Sequence, residues 1–186
     1  MSLSPVKQEI LETMLLNEKP MKAIEIANES KKEFPPTMMH LLGLTRMGFV
    51  RSPEKGQYVI TEKGKNALGI SETSKEKAIA ILGYAAHDRA FNFYINLGNP
   101  LNLHAHNLRD FANKFDKADI VSVEFHMQRS DFEAWFKMLG DAELVKKISL
   151  LKKKNLAGED LRKNLRNIVE QRYLYLAKLA GQPVPT

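Results

Sequence analysis

The chain has 186 residues, 44% hydrophobic and 27% charged, a balance that supports a packed core and argues against disorder. It contains no cysteine, which excludes disulfides, thiol catalysis and cysteine-ligated zinc, and no apolar run long enough to span a membrane. The net charge of +6 favours an anionic partner such as nucleic acid, but the excess is uneven: residues 1–69 carry 10 basic against 8 acidic side chains, residues 70–147 carry 10 against 11, and residues 148–186 carry 8 against 3.

The opening MSLSPVKQEILE lacks the apolar stretch of a signal peptide, so a cytoplasmic location is expected. Val6, Ile10 and Met14, widened by Leu11 and Leu15, recur at helical spacing, with Ser4 as cap and Pro5 at the first helical position. A helix over about 5–16 follows, closed by Asn17 to Pro20. A second helix is expected over 22–33, burying Ala23, Ile24 and Ala27. Phe34-Pro35-Pro36 predicts a turn, because proline disfavours helix at the residue before it. A third helix then runs from Pro36 to Met47, with Thr37, Leu41 and Leu44 inward and Gly48 ending it. A strand at 49–51, turn residues at 52–56, a return strand at 57–60 and a helix over 62–68 capped by Thr61 complete this half.

The segment LLGLTRMGFVRSPEKGQYVITEKGKNAL carries Leu44, Gly48, Phe49, Val50, Gly56, Ile60, Thr61, Lys63 and Gly64 in fixed order. That pattern resembles archaeal and bacterial winged helix-turn-helix regulators over about 60 residues. The resemblance implies that the third helix enters the major groove of double-stranded DNA while the hairpin touches the backbone. The residues assigned to DNA contact are Thr37, Met39, His40, Gly43 and Arg46 on the helix, Arg51, Lys55 and Gln57 on the hairpin, and Lys63 beyond it. Only His40 and Arg46 on that helix are useful donors to a base edge or phosphate. The Met38-Met39 pair would instead suit a protein partner.

After a polar hinge at 69–74, a helix is expected from Lys75 to about His87, a strand at 90–95, a turn at 97–100, and a helix from His106 or Asn107 to Phe115. Residues 120–127 are ambiguous, since Val121, Val123 and Phe125 alternate like a strand while their neighbours permit a helix. Ser130 to Glu133 reads as a capping box opening a helix with Phe132, Trp135, Phe136 and Leu139. Gly140-Asp141 restarts a helix that ends at Lys152-Lys153-Lys154. Ser122, Glu124, Phe125, His126, Arg129, Asp131, Phe132, Trp135, Leu139, Gly140, Asp141, Glu143 and Leu144 together resemble a family of uncharacterised, mostly archaeal domains, which implies a shared fold and no activity.

The last helix is expected over 159–180. Leu161, Leu165, Ile168, Arg172, Tyr175 and Leu179 repeat at 4-3-4-3-4, a heptad-like seam broken by Arg172. Packing on its own domain and pairing with a second copy both account for the seam. The dimer reading assigns contact to Leu161, Leu165, Ile168, Tyr175 and Leu179. Arg162, Lys163 and Arg166 on the opposite face would add phosphate contacts. Residues 182–186 read as a frayed tail.

Five histidines raise metal and catalytic readings. His104-Ala105-His106 brings two rings together only on a strand, His87-Asp88 and Glu124/His126 could complete such a site, and His126 with Asp131 could form an acid–base pair. No strong metal-ligand spacing and no phosphate-cradling glycine motif is present, so no metal, no cofactor and no enzyme activity is expected. A ligand pocket lined by Phe91, Phe93, Tyr94 or Trp135 is weighed against a plain aromatic core. The expectation is a mainly α (α+β) chain: a winged helix-turn-helix over 1–69, then a mostly helical domain over 70–182 for dimerisation, sensing or partner binding. The corresponding function is a dimeric DNA-binding transcriptional regulator; the alternatives are a protein adaptor and an enzyme centred on His126 and Asp131.

Overall fold

The computed structural model describes residues 3–17 and 19–183; Glu18 in the first closing turn and the expected tail from residue 184 onward lie outside them. The protein is mainly helical, with two small antiparallel sheets, and divides into compact units at residues 1–72 and 73–186.

The first unit runs α1 (Pro5–Asn17), β1 (Met21–Lys22), α2 (Ala23–Glu29), α3 (Phe34–Arg46), β2 (Val50–Arg51), β3 (Gln57–Ile60) and α4 (Glu62–Ala67). Ile10, Leu11, Met14 and Leu15 of α1 pack with Ile26, Leu41 and Leu44 in its core. The three strands lie in the order β1-β3-β2, all antiparallel. β1 is too short to leave a sequence signal and was not anticipated. Helix α3 starts earlier than expected, at Phe34, because Pro35 and Pro36 fall in its first turn, where no intrahelical N–H bond is required. It ends in a Schellman motif: Gly48, at φ +75°, donates to the Thr45 carbonyl and Phe49 donates to the Leu44 carbonyl.

The second unit contains α5 (Lys75–Ile81), a short 3-10 turn at His87–Arg89, β4 (Phe91–Asn96), β5 (Asn99–Ala105), α6 (Leu108–Phe115), α7 (Ile120–Arg129), α8 (Asp131–Met138), α9 (Ala142–Lys152) and α10 (Gly158–Ala180). Four N-termini carry side-chain caps, from Ser74, Asn107, Asp119 and Asp141. The core is an aromatic cluster around Phe111, whose ring centroid lies 5.3–5.6 Å from those of Phe91, Phe93, Phe115, Phe132, Trp135 and Phe136.

Helix α5 stops at Ile81, short of the expected His87, and β5 takes up part of the turn expected at 97–100. Two further expectations also fail. Ser130 is not the cap of a capping box. It sits at φ +61° as the hinge between α7 and α8, and its hydroxyl accepts from Lys152 Nζ at 2.7 Å instead of serving α8. The seam on α10 is not an outward dimer stripe. Leu161, Leu165 and Ile168 are already buried within their own unit, and the buried face continues through Val169, Arg172, Tyr173, Leu176, Ala177 and Ala180. It is a helical-period face, wider than a heptad stripe. Of the five residues assigned to dimerisation, only Tyr175, 38% exposed, and half-buried Leu179 lie outside it.

Candidate functional site

In the first unit, the solvent face of α3 is set by the inward positions Thr37, Leu41 and Leu44, all fully buried. Thr37 therefore cannot touch DNA; its hydroxyl donates to the Glu33 carbonyl inside the unit. The exposed residues are Phe34, Pro35, Pro36, Met39, Leu42 and Arg46, of which Pro35, Met39, Leu42 and Arg46 share one face at spacings of four, three and four. Met39 is 71% exposed and His40 is half-buried beside it. Gly43 is half-buried, with the end of the Lys7 side chain beside it, Nζ 3.7 Å from where a Cβ would stand. Leu42, at 40% exposure, was missed because its neighbour Leu41 reads as the same apolar signal.

The hairpin and the segment after it divide likewise. Gln57 is occupied within the hairpin, donating to Glu54 Oε2 at 3.0 Å. Lys63 is also committed: its ammonium donates to the Met47 carbonyl at the end of α3 and lies 5.4 Å over the Phe49 ring. Thr61 completes this clamp, donating to the Gly48 carbonyl and accepting from the Gly64 N–H. Lys63 thus holds α3 against α4 rather than reaching outward. Arg46, Arg51 and Lys55 remain: all three are exposed, and none has a side-chain partner among the described residues. Five of the nine assigned residues, Met39, His40, Arg46, Arg51 and Lys55, are therefore free to meet a partner.

The basic excess at the C-terminus is more internal than its count suggests. Arg162 donates to the Phe115 and Ala118 carbonyls, capping α6, and Arg166 pairs with Asp116 at 2.6 Å. Lys152 serves Gln128 and Ser130, and Arg172 is buried.

In the second unit, a cleft of about 450 Å³ opens between the β4–β5 hairpin and helices α7 and α8. Phe91, Tyr94, Phe125 and Trp135 line it, with Arg129 and Asp131 as its charged groups; Phe93 is fully buried behind them. His126 sits in its wall, and both ring nitrogens are engaged. Nε2 accepts the Tyr94 backbone N–H at 2.9 Å, so the ring proton lies on Nδ1, which donates to Asp131 Oδ2 at 2.8 Å. Neither nitrogen is open to take a proton from a substrate, so in this arrangement His126 orients Asp131 and is not itself a general base.

Burial pushes the His126 pKa below the usual histidine value, although Asp131 opposes the shift. The folded state then binds the proton less readily than the unfolded chain. Its contribution is complete above about pH 6.5 and falls as the pH drops below that. The expected result is a second unit that loses stability between pH 7 and pH 5. His126→Gln, which can keep both hydrogen bonds without titrating, should flatten that slope in denaturant unfolding. An unchanged slope would assign the pH dependence to another group.

The histidine pair His104 and His106 falls at the end of β5, with His87 nearby at ring-centroid distances of 5.6 and 6.1 Å. His106 Nδ1 faces the Ala85 carbonyl, and Tyr84 stacks on the ring at 4.6 Å. Among the described residues no group of three or more such side chains is arranged to hold a metal ion. Among them, too, no helix is long and apolar enough to cross a membrane. No family model matches the chain, and no curated protein or solved structure matches it.

Proposed function

We propose that this is a DNA-binding regulator whose first unit is a winged helix-turn-helix. In this reading α3 lies in the major groove of double-stranded DNA, and the β2–β3 hairpin is the wing against the backbone. The element order, three helices followed by a hairpin whose return strand pairs with β1, supports it. The observation that carries it is the trio Arg46, Arg51 and Lys55, exposed at the end of α3 and on the hairpin with their charges unspent. Unpaired cations of this kind are what a phosphate backbone attracts, and each one used releases counterions.

The face offers few groups that could read bases. Met39 and Leu42 are apolar, which leaves His40 and Arg46. Binding is therefore expected to be strongly salt-dependent and weakly sequence-selective. Because α10 spends its seam internally, a second copy in this reading would pair through another surface.

A salt series of duplex binding tests it. Arg46→Ala and Lys55→Ala should each weaken binding about tenfold or less and lower the slope of log K against log salt by about 0.9. Negligible affinity at low salt, or slopes unchanged in both variants, would sink the proposal. The second reading, a protein partner on this face, is favoured by the exposure of Met39 and Leu42. Under it, Met39→Ala would abolish partner capture while the two charge variants stay silent.

A further inference from the structure

We propose that the cleft of the second unit binds a small aromatic carboxylate, with Arg129 holding the carboxylate and the aromatic walls holding the ring. The inference rests on this unit alone and is independent of the DNA reading.

An ordered chain of hydrogen bonds ends at the cleft. The Tyr94 N–H fixes His126, and His126 Nδ1–H fixes Asp131 Oδ2. That same oxygen then accepts from Arg129 Nε at 3.1 Å. The guanidinium is held a second time by the ring of Phe125, 5.2 Å from its centre. Arg129 is a rim residue, its side chain 46% exposed, and such arginines are ordinarily free to sample many rotamers. Here a buried histidine and a carboxylate are both spent on fixing it.

A staple between α7 and α8 would need only the His126–Asp131 bond. The added consequence of holding Arg129 is a fixed guanidinium whose two Nη groups have no partner among the described residues. That edge presents two parallel N–H donors, the fork that fits a carboxylate in two hydrogen bonds. Asp131 neutralises the Nε edge, so the open edge is directed by position as well as by charge.

The rest of the cleft selects the body of the ligand. Phe91, Tyr94, Phe125 and Trp135 offer π-faces and apolar edges, and about 450 Å³ is ordinary for a small organic ligand. Of the other polar groups, Trp135 Nε1 donates to the Arg89 carbonyl and Asn92 is bonded to Ala90 and His104, which leaves the Asn96 amide and the Tyr94 hydroxyl among the lining side chains. Among the described residues, a multiply anionic ligand would find Arg129 as the one cation in the lining.

The test uses the full chain and the tryptophan already in the wall, which is the chain's one tryptophan. Trp135 emission is followed during titration with 3-phenylpropionate, its neutral amide, and hexanoate. The expected result is a saturable change with 3-phenylpropionate and affinity about tenfold or more weaker for each of the other two. Arg129→Met, which keeps a stem on Phe125 and removes the charge, should bring the acid down to the affinity of the amide and leave the amide unchanged. The proposal is overturned if no saturable change occurs up to about 10 mM acid. It is equally overturned if the amide binds as well as the acid to the unaltered protein, or if a folded Arg129→Met variant binds the acid undiminished. The acid–amide comparison on the unaltered protein stands even if the variant does not fold.

Discussion

Replacing Arg172 with methionine is expected to cost the second unit about 3–5 kcal/mol. Its guanidinium is 1% exposed and binds Asp141 through Nε at 2.8 Å and Nη2 at 2.9 Å, Glu143 through Nη1 at 2.9 Å, and the Thr73 hydroxyl at 3.2 Å. Lys147 joins the group through Glu143 at 2.9 Å. Two cations thus face two carboxylates in a region closed to water. Such an assembly adds little over a well-packed apolar core, because desolvation offsets most of the attraction. Breaking it is another matter. Methionine fills much of the volume but leaves Asp141 without its counterion, while Asp141 must still cap α9 through the Leu144 N–H. Denaturant unfolding should register the loss, and the thermal midpoint should fall by about 10 °C or more. A loss below about 1 kcal/mol would mean that the carboxylates find other partners or take up protons at little cost.

The same residue explains where the sequence was legible and where it was not. On α10 the apolar repeat located the helix correctly, and its periodicity needed no knowledge of the fold. Arg172 looked like a fault in a dimer seam, because nothing local signals that Asp141 and Glu143, some thirty residues earlier, will meet it. The cap at Thr61 was legible for a related reason, since it acts on the Gly64 amide three residues away; Ser74, Asn107 and Asp141 cap in the same way without having been named as caps. Strand β5 was not legible, since Asn99-Pro100 reads as a turn and the first half of the strand is exposed, although Leu101, Leu103 and Ala105 alternate with Asn102 and His104. Helix α7 was obscured because two of its four buried positions are polar. Ser122 and His126 fall on the inner face, so the apolar residues alone suggested a strand. The site divides in the same way. Types and charges on α3 and the hairpin could be read directly, and the inward place of Thr37 was legible in its spacing, whereas the commitment of Lys63 to the Met47 carbonyl depends on a neighbour that only folding supplies. Likewise the pairing of His126 with Asp131 was visible as a spacing. Its direction, away from proton transfer and toward holding Arg129, came from the Tyr94 amide in a distant strand.

Gly64→Ala is expected to disrupt the first unit and, with it, the DNA binding proposed above. Two effects of opposite sign compete. Within a helix, alanine is favoured over glycine by about 1 kcal/mol, so local propensity alone forecasts a more stable protein. Against this, a Cβ on Gly64 would stand 2.2 Å from the Phe49 carbonyl oxygen and 2.8 Å from Ile60 Cγ1. The carbonyl cannot yield cheaply. It accepts the Thr61 N–H at 3.0 Å, and Thr61 in turn holds the Gly48 carbonyl at the end of α3. Making room for one methyl group would therefore move the joint between α3, β2 and α4, at a net cost of about 3 kcal/mol after the propensity gain. Gly56→Ala provides the contrast: the same added atom meets nothing within 4 Å, and the cost is confined to a φ of +79°, about 1–2 kcal/mol. Hydrogen exchange of amides in the first unit should separate the two variants. Gly64→Ala should collapse protection throughout that unit and weaken duplex binding by more than tenfold, while Gly56→Ala should act mainly at the hairpin. If the two variants proved equally mild, the threonine–lysine–glycine clamp would be a surface turn and not the element that fixes α3 for its partner.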